Sequence, residues 1–180
     1  AMARLIADID AAQRQVHLQF YIFAYDRTGK AVIAALERAA ARGVTCRVLL
    51  DAMGSWGGSR RIQQRLRKSG VRIHRILPLM RRWRTSRLDL RNHRKIAVID
   101  GRIGYTGSQN IVNGRARLGP ANFELLVRII GPAVWQLQMV FIADWYLETE
   151  ENLVGRESFV TALMEGETPL QMLPSGPDFP

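Results

Sequence analysis

Apolar positions recur along the chain with two different periods, and the switches between them mark its elements. In residues 3–13, Leu5, Ile6, Ile9 and Ala12 fall on one face of a helix, whereas residues 16–25 are rich in β-branched and aromatic side chains, as in a strand. Gly29 falls in the loop that follows. Residues 31–41 place Val32, Ile33, Leu36 and Ala39 at helical spacing, Gly43 provides a stop, and the apolar run 44–50 reads as a second strand, completing a β-α-β unit. A loop, Gly54-Ser-Trp-Gly-Gly-Ser59, leads to a basic helix over 60–68, then to Gly70 and an alternating strand over 71–77. Such alternation predicts an α/β fold, an α/β/α sandwich built on a mixed, mostly parallel sheet.

After Pro78 the periodicity is lost in a basic stretch over 81–95 that reads as a loop over a site. Lys95–Ile99 and residues 102–106 are short β runs joined at Asp100-Gly101, a strong hairpin signal. A further strand over 123–130 stops at Gly131. Pro132 opens a helix that turns Val134, Leu137, Phe141, Ile142 and Trp145 toward a core. The remainder is acidic and helix-like, and no internal repeat is visible. Residues 1–173 are expected to form one domain, and the turn-rich residues 174–180 read as the start of a linker.

With 180 residues, 47% of them hydrophobic, the chain can bury a sizeable core, which excludes disorder and a fibrous fold. The formal charge of +10 is almost all guanidinium, since only Lys30, Lys68 and Lys95 are lysines. A phosphate-bearing partner and an arginine-rich genome both account for that composition. The placement of charge is more informative: residues 1–142 hold 25 basic and 8 acidic side chains, residues 143–180 one basic and 8 acidic. A lone Cys46 forms no internal disulfide, and no Cys/His zinc spacing exists, so a reducing compartment is expected and a structural metal is not. The longest apolar stretch, 131–147, is interrupted by Gln136, Gln138 and Asp144, so no membrane span and no signal peptide is read.

The chemistry is concentrated around the hairpin, where residues 93–110 spell H-x-K-x4-D-x6-G-S-x-N. In a strand, residues two apart point the same way, so His93 and Lys95 can meet one group, and the antiparallel partner strand can deliver Ser108 and Asn110 beside them. Lysine neutralises phosphoryl oxygens, the Asn amide and Ser hydroxyl donate to them, and histidine as the free imidazole attacks phosphorus. That assembly calls for no metal and no cofactor.

This spacing is similar to the HKD motif of the phospholipase D superfamily. Within it the chain resembles bacterial cardiolipin synthases, through His17-Leu-Gln-Phe-Tyr-Ile-Phe23, Ala39-Ala-Ala-Arg-Gly-Val44, Asn92-His-Arg-Lys-Ile-Ala-Val-Ile-Asp-Gly101, Val127-Arg-Ile-Ile-Gly-Pro-Ala-Val134, Asp144-Trp145 and Pro174-Ser-Gly-Pro177. The resemblance implies a phosphatidyltransferase that makes cardiolipin from two phosphatidylglycerols and releases glycerol. One motif's histidine takes the phosphatidyl group and a second motif's histidine protonates the leaving alcohol. By the same resemblance the linker at 174–180 would lead to a missing second half. His93 would be the nucleophile, Lys95 and Asn110 would hold the phosphate, and Ser108 would support them. Asp100 belongs to the motif's catalytic set, but its place in the turn gives it a structural role here. Glu124 occupies the position of the family's acid that accepts a hydrogen bond from the far nitrogen of the nucleophilic histidine, fixing its tautomer.

His17 and His74 lie on strands and read as packed or surface residues. Ser55 and Trp56, in the glycine loop, are weaker candidates for the site. The arginines Arg81, Arg82, Arg84, Arg87 and Arg91 form a patch suited to an anionic membrane surface, and a nucleic-acid groove is the alternative. The resemblance favours lipid and a peripheral domain on the cytoplasmic side of a bacterial membrane. The rival activity is a metal-independent phosphodiesterase of the same superfamily, working on nucleic acid as a homodimer. Only one H-x-K-x4-D is present, so the chain alone is half a site, completed by a second HKD half of the same full-length chain or by a homodimer partner.

Overall fold

The computed structural model describes residues 1–56, 58–76, 92–113, 124–155, 158–160 and 168–173. Along the chain run α1 (Met2–Ala11), β1 (Gln15–Phe20), α2 (Arg27–Ala41), β2 (Thr45–Asp51), α3 (Ser59–Lys68), β3 (Arg72–Ile76), β4 (Lys95–Ile99), β5 (Ile103–Gly107), β6 (Leu126–Ile130) and α4 (Ala133–Thr149). The strands form one sheet in the order β3-β2-β1-β4-β5-β6. The sandwich and the mixed sheet are as the pattern predicts, but the balance within the sheet differs. Among these six strands, parallel pairing is confined to β1–β2 and β2–β3, where helices make the crossovers, while β1–β4, β4–β5 and β5–β6 are antiparallel.

Strand alternation sorts the core into two layers. Val16, Leu18 and Phe20 of β1, with Ala97 and Ile99 of β4, face α1, α2 and α3, where Leu5, Ile9, Val32, Ile33, Leu36, Ile62 and Leu66 complete the larger core. On the other face Ile96 and Val98 meet Val134 and Leu137 of α4, and Leu49 and Ile76 meet Phe141 and Trp145. Phe141 and Trp145 are fully buried, and burying a side chain of this size stabilises by about 1.5–3 kcal/mol. This second face also takes polar groups: His17 stacks on Phe141 at 4.5 Å between ring centroids, and its Nδ1 meets the Gln138 carboxamide. On the face of the larger core, Asp8 of α1, 6% exposed, accepts from the Tyr105 hydroxyl and from Arg128, tying α1 to β5 and β6.

Three local expectations are revised. α2 begins at Arg27 because Asp26 caps it, its carboxylate accepting from the Gly29 N–H at 2.9 Å; Gly29 is therefore in the first helical turn, where a Cβ would stand 1.8 Å from the Ala24 carbonyl oxygen. β1 ends at Phe20 because the chain then turns toward the 110–111 segment, where Ala24 N–H donates to Ile111 O and Ile111 N–H to Ile22 O. The acidic remainder shows no helix among its described residues. Glu150 adopts φ 60° and ends α4, and Glu151 is engaged by Arg72 and the Trp145 indole. The Asp100-Gly101 turn is as read: the Arg102 N–H donates to the Ile99 carbonyl and both central residues have positive φ, 53° and 67°, although the pairing of Ile99 with Ile103 puts Arg102 in the loop as well. No described helix is long and apolar enough to cross a membrane.

Candidate active site

Antiparallel pairing brings four chain segments to one end of the sheet. β1 ends at Phe20, which pairs with Lys95 at the start of β4; β5 ends at Gly107, which pairs with Leu126 at the start of β6. His93 therefore precedes β4, Tyr21 follows β1, Ser108 and Asn110 follow β5, and Glu124 precedes β6, all at the same end. β2 runs parallel to β1, so its closing Asp51 and the loop over 52–56 border the same end.

The His93 side chain is exposed and lies flat on the Tyr21 ring, with centroids 4.0 Å apart and planes 19° from parallel. Lys95 is half-buried; its ammonium donates to the His93 carbonyl oxygen and stands 5.7 Å from the centroid of the same tyrosine ring. Burial lowers the Lys95 pKa from its ordinary value of 10.5, and the negative charge of nearby Glu124 opposes that shift. Asn110 is buried, and its Oδ1 accepts from the Ile22 N–H at 3.0 Å, which leaves the Nδ2 end of the amide as its donor toward a ligand. The Ser108 hydroxyl oxygen accepts from the Leu125 N–H at 2.9 Å, while the Ser108 N–H donates to the Leu125 carbonyl at 2.8 Å. This stitch holds Glu124 beside the end of β5. Gly107 permits it: at φ 145° a Cβ would stand 2.1 Å from the Leu125 oxygen.

The structure thus brings together His93, Lys95, Ser108, Asn110 and Glu124. Asp100 does not join them. It sits at the opposite end of β4, where its carboxylate accepts the N–H groups of Gln13, Arg14 and Gln15 at 3.0, 2.8 and 3.0 Å, so it anchors the start of β1. Ser55 is buried and braces the chain beside the site, accepting from the Phe23 N–H and donating to the Tyr21 carbonyl; Trp56 is exposed. Arg81, Arg82, Arg84, Arg87 and Arg91 lie outside the described residues, as do residues 174–180. A polar cleft of about 300 Å³ lined by Arg14, His17, Arg47 and Glu151 lies near the starts of β1 and β2, away from His93. Among the described residues no group of three or more His, Cys, Asp or Glu is placed to hold a metal ion.

Sequence reasoning missed two kinds of residue. Tyr21 becomes a wall of the site only through the Phe20–Lys95 pairing, which no local pattern carries. Asp144 was read as an interruption of an apolar run and, with Trp145, as part of the family resemblance, without a role of its own, yet its carboxylate, 8% exposed, accepts from Arg94, Asn92 and Gln19. The available signal was an acid on the same stripe as Leu137, Phe141 and Trp145.

A family described as the phospholipase D-like domain of cardiolipin synthase matches residues 5–145. Cardiolipin synthase of Geobacillus thermodenitrificans is 36% identical over 98% of this chain and 36% of its own length. That of Listeria innocua is 35% identical over 97% of this chain and 37% of its own. The chain thus spans little more than a third of these relatives. Among solved structures, the phospholipase D family member Nuc from Salmonella typhimurium superposes with a TM-score of 0.64 at 21% identity, covering 82% of this chain and 88% of Nuc. NucT from Helicobacter pylori gives 0.55 at 19% identity over 78% and 84%. At these identities the two structures speak for a shared fold.

Proposed function

Because the chain belongs to the phospholipase D-like domain family of cardiolipin synthases, we propose that it forms one catalytic half of a phosphatidyltransferase that joins two phosphatidylglycerols into cardiolipin and releases glycerol. The observation that carries this reading is the gathering of an exposed imidazole, a half-buried ammonium, a carboxamide donor and a carboxylate at one sheet end. His93 as free imidazole attacks the phosphorus of the first phosphatidylglycerol. The N–P bond forms as the P–O bond to glycerol breaks, and the departing oxygen takes a proton from a general acid. The hydroxyl of a second phosphatidylglycerol then attacks the phosphohistidine, gives its proton back to that group, and breaks the N–P bond. Lys95 and Asn110 bind the non-bridging oxygens, Ser108 supports them with its hydroxyl, and charge stabilisation is greatest in the crowded transition state. Glu124 accepts from the imidazole nitrogen that does not attack and so fixes the tautomer.

The general acid must come from elsewhere. The sequence holds three histidines, and neither of the other two suits the role. His17 is buried in mid-strand on the α4 face, with its pKa pushed down to about 3 by burial and by Arg47. His74, inside β3, packs edge-on against Trp145. A second HKD half, in a longer chain or in a partner copy, supplies the missing histidine. The excess of guanidinium over carboxylate suits an anionic bilayer, and the domain then works at the cytoplasmic surface of a bacterial membrane. Thin-layer analysis of the products that the full-length protein makes from phosphatidylglycerol vesicles tests the reading. Cardiolipin and glycerol are expected from the wild type and neither from His93→Ala, whereas plasmid cleavage without a lipid product would support the nuclease.

A further inference from the structure

We infer that Asp144 is a positioning residue for His93, acting through the two residues that flank it. His93 sits at the apex of a short turn: the Asn92 side-chain oxygen accepts the Arg94 N–H at 3.1 Å, closing a ring around the histidine backbone. Asp144 holds both arms of that turn. Its Oδ2 accepts from the Asn92 Nδ2 at 2.8 Å, and both of its oxygens accept from the Arg94 guanidinium, at 2.5 and 2.6 Å. The Asn92 amide is thereby committed at both ends, its nitrogen to Asp144 and its oxygen to the turn. Strand parity explains the division of labour. Ile96 and Val98 face α4, so the same alternation carried back from β4 sends Arg94 and Asn92 toward Asp144, and His93 with Lys95 to the opposite side.

The clamp is stiff as well as close. The Arg94 and Asp144 side chains are 15% and 8% exposed, where a charge pair is poorly screened. Gln19 of β1 also donates to Asp144, a bond that ties α4 to the central strand and reaches neither Asn92 nor Arg94. An imidazole that must approach phosphorus in line gains from a backbone held this way, because a misplacement of about 1 Å can cost on the order of 100-fold in rate.

This inference rests on the reading of His93 as the nucleophile. Its test is single-turnover formation of the phosphohistidine from labelled phosphatidylglycerol, with steady-state kcat and KM, in the full-length protein. Asp144→Asn is expected to slow phosphohistidine formation and kcat together by about 100-fold, with KM within about twofold. Asn92→Ala removes the turn without leaving a buried charge unpaired, and is expected to slow the same step at least about tenfold. If Asp144→Asn does not fold, Asn92→Ala decides. Gln19→Leu removes a partner of Asp144 but touches neither arm of the turn. It is expected to lower thermal stability while the single-turnover rate stays within about twofold. Wild-type labelling rates in Asp144→Asn and Asn92→Ala would overturn the inference, as would an equal slowing by Gln19→Leu, which would make Asp144 a packing residue. Failure of the wild type to label at His93 would instead overturn the nucleophile reading beneath it.

Discussion

The imidazole of His93 lies against the phenol ring of Tyr21, with centroids 4.0 Å apart and planes 19° from parallel. A stacked ring limits rotation of the imidazole about its own bond to the chain, and such contacts are worth about 0.5–1.5 kcal/mol beyond their buried area. Tyr21→Ala should therefore lower kcat about 2- to 10-fold, and Tyr21→Phe, which keeps the ring, should stay close to wild type. Steady-state rates on phosphatidylglycerol vesicles separate the two. An equal loss in both variants would assign the effect to the hydroxyl and not to the stack.

Lys95 must be protonated to neutralise phosphate, and burial already holds its pKa below the ordinary 10.5 while Glu124 pushes it back up. Lys95→Met should reduce kcat by about 10²–10³-fold. Glu124→Gln removes the negative charge, so the Lys95 pKa falls further and the alkaline limb of the rate profile moves to lower pH. A pH–rate profile of Glu124→Gln whose alkaline limb coincides with that of the wild type would contradict the pairing.

His17 gives the protein a stability that depends on pH. Its folded-state pKa of about 3 lies below the ordinary 6.5, so between those values the unfolded chain takes up a proton that the folded chain does not. Stability from this group is intact above about pH 6.5 and falls as pH drops, with a limiting slope of about 1.4 kcal/mol per pH unit. Urea unfolding at pH 7 and pH 5 should show a smaller difference in His17→Gln than in the wild type. Equal differences would remove His17 as the cause.

Asp100 is expected to matter for stability and not for the chemical step. Its carboxylate accepts three backbone N–H groups at the entrance to β1, at the far end of β4 from Lys95. Those amides are partly exposed and water can replace the carboxylate, so Asp100→Ala should cost about 1–3 kcal/mol and leave kcat per folded molecule near wild type. Thermal unfolding measured beside kcat checks both. Loss of kcat at unchanged stability would return Asp100 to the active site.

These residues show where the sequence was legible. The hairpin at Asp100-Gly101 could be read because turn chemistry is local, and the motif placed His93, Lys95, Ser108 and Asn110 because period-two spacing and one antiparallel pairing suffice to gather them. Balance between parallel and antiparallel strands could not be read, since it depends on β4 returning beside β1 and not on any local pattern. The start of α2 was missed because Asp26 was not weighed as a cap. The acidic tail looked helical by composition, but Glu151 is spent on Arg72 and Trp145, contacts that span up to 79 residues. Asp144 was hidden for the same reason: its partners Gln19, Asn92 and Arg94 lie 125, 52 and 50 residues away.

The central claim, that His93 carries the phosphatidyl group, is tested most directly by rapid denaturing quench of the full-length protein with labelled phosphatidylglycerol, followed by mapping of the modified residue. The expected result is an acid-labile, base-stable phosphoryl adduct on His93 that forms as fast as turnover and is absent from His93→Ala. An adduct on another residue, or full turnover with no covalent adduct at any time, would contradict it.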